Sequence, residues 1–189
     1  MKRPRIVLVG AGRRRQGLGP FFAKFLEELG AEVVALVGRS EPSLADAQRQ
    51  VAERIGREVP VSVDLLDAAQ RHGAEAAVIA APPESHLDHL GAALTADLHV
   101  LCEKPLLWWC GDPVGGAREL IQRYEEAGRV LMENVQWPQT LPAFFALHPG
   151  APRECPGRFD MLLSPCLLYT SPSPRDRHLD LVCRLLLEK

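Results

Sequence analysis

Residues 6–19 read Ile-Val-Leu-Val-Gly-Ala-Gly-Arg-Arg-Arg-Gln-Gly-Leu-Gly, and this stretch decides the fold. Its four apolar residues end at Gly10, which is typical of a strand buried on both faces. A helical pattern follows, with apolar residues at positions 21, 22, 25, 26 and 29 on one face. A glycine-rich turn between a buried strand and a helix predicts a phosphate site, because free N–H groups and the helix dipole favour an anion there.

The glycines of this turn have separate predicted tasks. Gly10 makes the tight turn, and Gly12 lets the backbone approach a pyrophosphate. Gly17 or Gly19 allows the helix to pack closely on the strand. The spacing departs from Gly-x-Gly-x-x-Gly, because position 15 is arginine and the third glycine comes two residues late, at position 17.

Basic residues near this turn bear on the ligand. Guanidinium groups suit phosphate, so Arg13 and Arg14 are candidate phosphate ligands, with a solvated basic loop as the alternative. An NAD site usually has an acid at the end of the second strand, where this chain has Gly38. Arg39 and Ser40 instead offer a cation and a hydroxyl for a 2′-phosphate. The sequence therefore favours NADP over NAD as the cofactor.

The alternation of strands and helices continues along the chain. Short apolar runs at 33–37, 59–63, 76–81, 99–102 and 130–134 predict five more strands. The helical stretches between them include one capped at Ser43, one capped at Asp64 and one that begins at Asp112-Pro113. Strands joined by helices pair in parallel, so we predict an α/β fold with a doubly wound parallel sheet. Past Trp137 the proline-rich sequence predicts a loop.

Two turns at the ends of predicted strands carry candidate chemistry. The fourth strand ends at Ala80-Ala81-Pro82, and the small side chains of Ala80 and Ala81 allow a flat ring or a ribose to lie against them. His86 is either a polar contact near that ring or a surface histidine. Lys104 follows the fifth strand, at the edge where doubly wound sheets bind ligands, and can donate a proton to an alcohol or carbonyl oxygen. Glu103 can hold this lysine, the alternative being a surface pair before a turn proline.

Four motifs together resemble a known family. Gly10-x-Gly12, Pro82-Pro83-x-x-His86, Glu103-Lys104-Pro105 and Asn134-Val135-Gln136-Trp137-Pro138 resemble the N-terminal domain of the Gfo/Idh/MocA oxidoreductases. The resemblance covers residues 5–149 and implies a Rossmann domain that binds NAD(P). It implies that Lys104 is the catalytic residue beside the nicotinamide and that its bond to Pro105 is cis. It also implies that Asn134 lies near the cofactor or the substrate, with Glu103 and His86 among the cofactor contacts.

The resemblance extends to the parent enzyme. It implies hydride transfer between a nicotinamide cofactor and a sugar, a cyclitol or a related alcohol or carbonyl. It also implies a second α+β domain, which would supply substrate contacts and the contacts of a homo-oligomer. A non-catalytic dinucleotide-binding sensor is the alternative, although Lys104 favours the enzyme. A methyltransferase-like α/β domain is a third alternative. It would have an acidic residue at the end of the second strand, where this chain has Gly38, so the sequence favours it less.

The last residues, 166–189, do not continue the pattern. Cys166–Asp176 and Asp180–Lys189 resemble, in order and in one frame, the translated constant parts of a transposase-type sequencing adapter. We therefore predict an NAD(P)-binding domain at 1–149, a stub of a truncated substrate domain at 150–165 and a non-native tail at 166–189. On this interpretation the chain binds cofactor but does not turn over substrate.

Composition excludes several classes of protein. Lys and Arg total 22 against 24 Asp and Glu, so the chain has no basic excess for nucleic acid. No apolar run approaches the ~20 residues of a membrane helix. The 5 cysteines include no Cys-x-x-Cys pair, so neither a metal site nor a disulfide framework is predicted. We expect a cytoplasmic protein whose partner is a small-molecule substrate, with no nucleic acid and no membrane.

Overall fold

The computed structural model describes residues 2–12, 18–108, 111–151 and 153, without the side chains of 136–139. Contacts divide the chain into two units, Met1–Leu141 and Pro142–Lys189. Of the predicted stub at 150–165, only residues 150, 151 and 153 are described, and the predicted tail at 166–189 lies outside the described residues.

Strands and helices alternate along the described part of the chain. The strands are Arg5–Val9 (β1), Glu32–Val37 (β2), Val61–Ser62 (β3), Ala76–Ile79 (β4), His99–Glu103 (β5) and Leu131–Asn134 (β6). The helices are Gly19–Glu28 (α1), Glu41–Ile55 (α2), Leu65–His72 (α3), His86–Thr95 (α4), Pro113–Glu126 (α5) and Gln136–Leu147 (α6). A 3-10 turn at Pro83–Ser85 precedes α4. Within the described ranges, no helix has both the length and the apolar character needed to cross a bilayer.

The six strands form one parallel sheet in the order β3-β2-β1-β4-β5-β6. β1 lies at the centre, and its residues Val7, Leu8 and Val9 are almost completely buried. The chain builds outward from β1 to β3, then crosses back to β4 and builds the other half. This order confirms the predicted doubly wound α/β fold. It places a topological switch point between β1 and β4, where sheets of this kind form a crevice at their carboxyl edge.

Local signals set most helix starts correctly. The Asp64 side chain accepts a hydrogen bond from the Asp67 N–H at 2.9 Å and caps α3, as predicted. Asp112 likewise caps α5. The predicted cap at Ser43 is wrong, because α2 begins earlier, after the extended Ser40. Pro42 explains the shift, since the φ that proline fixes suits the first turn of a helix.

The loop predicted past Trp137 is also wrong. Residues 136–147 form α6, with Pro142 inside the helix. Pro138 falls in the first turn, where backbone N–H groups have no helical partner to lose. Pro142 removes one internal hydrogen bond, which interrupts the ladder without ending the helix.

Candidate functional site

The glycine turn lies at the switch point, against the end of β4. Gly10 has φ of +85° and donates its N–H to the Val37 carbonyl at 2.8 Å. A Cβ on Gly10 would lie 2.5 Å from both the Cα and the N of Ala81, far inside ordinary contact. Any other residue would therefore be strained in its backbone and would also clash with β4's continuation. The predicted tight turn is present.

The next glycines bring two helices close to this turn. A Cβ on Gly12 would lie 2.6 Å from the carbonyl oxygen and 2.6 Å from the Oγ of Ser43, in the first turn of α2. A Cβ on Gly19 would lie 2.4 Å from the Cα of Ala11. Gly19 thus lets α1 pack close to Ala11 at the end of β1, whereas Gly17, the other glycine proposed for this task, lies outside the described residues. The approach of Ser43 to Gly12 has no signal in the sequence, because the two residues belong to different motifs.

The start of α1 suits an anion. Leu18 stands at the N-cap without a side-chain hydrogen bond, and the first turn has no acidic residue. Leu18 therefore offers no side-chain acceptor to the N–H groups of Gly19 and Phe21, while Pro20 has no N–H to donate. The predicted phosphate ligands Arg13 and Arg14 lie outside the described residues, as does Gly17.

The end of β2 presents polar groups at the same edge of the sheet. A Cβ on Gly38 would lie 2.9 Å from Leu44 Cδ2, so the small residue here also serves packing. Arg39 is exposed, and Ser40 caps α2 through its backbone, with no side-chain cap hydrogen bond. Both residues lie at the end of β2, the position predicted for a 2′-phosphate. Glu41 is the acidic residue of the first turn and would oppose that phosphate electrostatically.

The end of β4 is small and apolar, as predicted. Ala80 and Ala81 are each 5% exposed, and Pro82 follows them at the surface. The Ser85 hydroxyl donates to the Pro82 carbonyl at 2.9 Å and closes the turn before α4.

His86 differs from both alternatives drawn from the sequence. It is completely buried, so it is not a surface histidine. Its Nδ1 lies 2.8 Å from the Pro105 carbonyl oxygen, and its Nε2 lies 3.0 Å from the Ala81 carbonyl oxygen. With both nitrogens facing backbone carbonyls, the ring has no nitrogen left for a ligand, and we place His86 behind the site.

Cys102 lies beside the buried histidine. Its Sγ is 3.5 Å from Nδ1 of His86. Burial, with added repulsion from the carboxylates of Glu103 and Glu133, raises the pKa of the Cys102 thiol to about 12. The thiol therefore stays protonated and unreactive at neutral pH.

The turn after β5 exposes Lys104. The Lys104–Pro105 peptide bond is cis, which the resemblance had implied. Glu103 accepts a hydrogen bond from the side-chain amide of Asn134 and does not hold the lysine, contrary to the sequence prediction. The Leu106 N–H donates to Glu133 Oε1 at 2.7 Å and ties the far side of the turn to β6. Among the described residues, Lys104 has no ion-pair partner, and no three His, Cys, Asp or Glu side chains cluster as metal ligands.

Comparisons with known proteins agree with this geometry. A family model described as an oxidoreductase family with an NAD-binding Rossmann fold matches residues 4–135. No curated protein matches the chain.

Solved structures share the fold. The crystal structure of GenD2 from gentamicin A biosynthesis, in complex with NAD, is 26% identical with a TM-score of 0.61, over 76% of this chain and 38% of that one. A 3-ketoreductase from Actinomadura kijaniata, in complex with TDP-benzene and NADP, is 28% identical with a TM-score of 0.57, over 79% of this chain and 44% of that one.

A third solved structure shows the fold alone. The myo-inositol 2-dehydrogenase from Lactobacillus plantarum is 20% identical with a TM-score of 0.61, over 78% of this chain and 41% of that one. The chain thus spans about two fifths of the length of these three proteins.

Proposed function

Because this chain belongs to the oxidoreductase family with an NAD-binding Rossmann fold, we propose that it binds NAD(P) at the carboxyl edge of its sheet. The parent enzyme would transfer hydride between the nicotinamide and a sugar, a cyclitol or a related alcohol or carbonyl. One observation carries the proposal: the glycine turn at Gly10 packs on Ala81 at the switch point, and Lys104 is exposed at the end of the neighbouring β5.

The residues present fit a dinucleotide. Gly10 and Gly12 bring backbone close to the start of α1, whose uncapped N–H groups favour a diphosphate. Arg39 and Ser40 lie where the adenosine ribose binds in such domains, and a guanidinium there supports NADP over NAD. The solved structures of similar proteins include one complex with NAD and one with NADP.

Lys104 is the proposed catalytic residue. The cofactor supplies or accepts the hydride, while the protein handles the proton of the reacting oxygen. Lys104 is exposed and free of a carboxylate partner among the described residues, so its ammonium can donate a hydrogen bond or a proton to a substrate oxygen. The nicotinamide would lie near Ala80 and Ala81, whose small side chains are almost completely buried.

The substrate class and the assembly extend this proposal. The similar proteins include a 3-ketoreductase, 28% identical to this chain, which supports a substrate with a carbonyl or alcohol group at the reacting carbon. The chain spans about two fifths of those proteins, and we propose that as given it binds cofactor without turnover. Substrate contacts and a homo-oligomer interface would come from the remaining part of the parent.

Titration of the full chain with NADPH and NADH tests the proposal. Quenching of tryptophan fluorescence and enhancement of the nicotinamide emission should both saturate, with NADPH the tighter ligand. The absence of both signals in a sample that unfolds cooperatively would overturn it.

A second titration examines the catalytic lysine. Lys104→Met should bind NADPH within about 3-fold of the unmodified chain, because its proposed partner is the substrate oxygen. Lys24→Met, on the outer part of α1, is the matched control.

A turnover assay tests the proposed inactivity of the chain as given. With a panel of sugars and cyclitols, neither NADP⁺ reduction nor NADPH oxidation should be detectable, and steady turnover would refute this part of the proposal.

A further inference from the structure

His86 has no task in the chemistry proposed above. Among the described residues, His86 is the buried polar residue, and none of its surface is exposed to solvent. A polar group in the core is costly unless it is hydrogen-bonded, and both nitrogens of this ring meet backbone carbonyls. The two carbonyls belong to the turns after β4 and β5, which are separate parts of the proposed site.

Each contact reaches a functional turn. The Pro105 carbonyl, 2.8 Å from Nδ1, belongs to the residue directly after Lys104. The Ala81 carbonyl, 3.0 Å from Nε2, belongs to the residue against which Gly10 packs. A carbonyl oxygen only accepts, so a ring nitrogen that faces one forms a hydrogen bond by donating its proton.

We infer that His86 is a positioning residue that fixes the lysine turn through Nδ1 and the nucleotide turn through Nε2. The inference rests on the proposed function, since it assigns His86 to the same site. It acts from behind: the Pro105 contact sets where the backbone of Lys104 lies, and the Ala81 contact holds the surface that Gly10 and the flat ring need. A shift of either turn would displace a binding group.

Two substitutions separate the contacts. The amide nitrogen of asparagine reaches about as far as Nδ1, and that of glutamine about as far as Nε2. His86→Asn therefore keeps the donor toward Pro105 and loses the one toward Ala81, and His86→Gln does the reverse. His86→Leu removes both donors and keeps the apolar bulk.

Two measurements report on the two turns. Hydrogen exchange of the Leu106 amide, which is bonded to Glu133 at 2.7 Å, reports on the lysine turn without any ligand. The Kd for NADPH reports on the nucleotide turn. We expect His86→Gln to speed exchange at Leu106 by about 3- to 10-fold with an unchanged Kd, the scale of one hydrogen bond. His86→Asn should weaken NADPH binding by about 3- to 10-fold with unchanged exchange.

Other outcomes overturn the inference. A residue that merely fills the core would move both measurements together in both variants, or would move neither. Unfolding of both His86→Asn and His86→Gln would also overturn it, because each keeps one of the two bonds. His86→Leu, where it folds, should change both measurements.

Controls separate this inference from the proposed function. His89→Gln, one turn further along α4, is the matched variant and should change neither measurement. If the unmodified chain fails to bind NADPH, the proposed function fails, whereas the exchange at Leu106 still tests the contact with Pro105.

Discussion

The carboxylate of Glu103 accepts a hydrogen bond from the side-chain amide of Asn134, across the carboxyl ends of β5 and β6. The two residues are direct partners in the parallel pairing of these strands. Glu103 is therefore engaged with its neighbour in the sheet, and the adjacent Lys104 has no ion-pair partner among the described residues. The turn that carries the lysine is held by backbone and neighbouring side chains, not by an ion pair of the lysine itself.

Removal of the amide at Asn134 should weaken the sheet edge. Asn134→Leu leaves a partly buried carboxylate without its donor, and we expect the free energy of unfolding to fall by about 1–2 kcal/mol. Asn134→Asp should cost more at neutral pH, because it sets two carboxylates opposite each other, and acidification should narrow that gap. Urea denaturation measures both. Equal stability of all three chains at neutral pH would show that the contact contributes nothing.

Two glycines with the same backbone conformation should respond differently to alanine. Gly10 and Gly30 have φ of +85° and +86°, but only Gly10 faces neighbouring backbone, at 2.5 Å from its would-be Cβ. Gly30→Ala should cost about 1–2 kcal/mol, the conformational strain alone, and should bind NADPH normally. Gly10→Ala should cost more and abolish NADPH binding.

Chemical denaturation and the NADPH titration compare this pair. Nothing lies within 4 Å of a Cβ on Gly30, which makes it the control for backbone strain without a clash. Comparable losses in the two variants would mean that the packing of Gly10 on Ala81 does not matter. Normal NADPH binding by Gly10→Ala would contradict the proposed location of the site.

Replacement of Arg39 should change cofactor preference. If its guanidinium binds a 2′-phosphate, Arg39→Ala should weaken NADPH binding by about 10- to 100-fold, the scale of a charge-assisted hydrogen bond. NADH lacks that phosphate, so its Kd should stay within about 3-fold. Arg49→Ala is the control, because Arg49 pairs with Asp46 on α2 itself. An equal loss for both cofactors would show that Arg39 does not read the 2′-phosphate.

Acid should destabilise the fold partly through Glu27. Burial alone would raise the pKa of Glu27, whose side chain is 17% exposed, but the Val33 N–H at 3.0 Å and the guanidiniums of Arg3 and Arg57 hold this pKa below its usual 4.5. A carboxyl with a lowered folded pKa adds stability that is complete above pH 4.5 and is lost as pH falls through the folded value.

The pH dependence of Glu27→Gln provides the measurement. At pH 7 the variant should be about 1–2 kcal/mol less stable than the unmodified chain, and the difference should shrink as pH drops below about 4. Glu28→Gln is the control, because Glu28 is exposed and lies 3.7 Å from Lys24. Its effect should stay under about 0.5 kcal/mol at every pH. A Glu27→Gln difference that persists at low pH would rule out the ionic contribution.

Features set by nearby residues were predictable from the sequence. The strand pattern and the caps at Asp64 and Asp112 follow from residues within a few positions of each other, and the structure confirms them. The start of α2 was misplaced because both Ser40 and Ser43 are good N-cap residues, and the proline between them decides. The proline-rich sequence predicted a loop in place of helix α6, because proline is unfavourable inside helices. A proline in the first turn of a helix, such as Pro138, does not prevent the helix from forming.

Features set by residues far apart in the sequence were not predictable in the same way. Nothing in the sequence around His86 indicates that the turns after β4 and β5 enclose it. Its burial was therefore not predictable without the fold. The contact of Gly12 with Ser43 and the pairing of Glu103 with Asn134 likewise depend on how the crossovers pack. The sequence indicated which turns form the candidate site, but not which side chains hold those turns in place.

Gly12 and Gly19 lie on either side of residues 13–18. Their packing holds the two ends of this segment but does not set its length. Gly12 packs against Ser43 of α2 and Gly19 packs against Ala11, so residues 13–18 run between two closely packed positions. Doubling the length of such a segment adds only about 0.6 kcal/mol of closure entropy. We therefore expect insertions between these two glycines to cost the fold little stability.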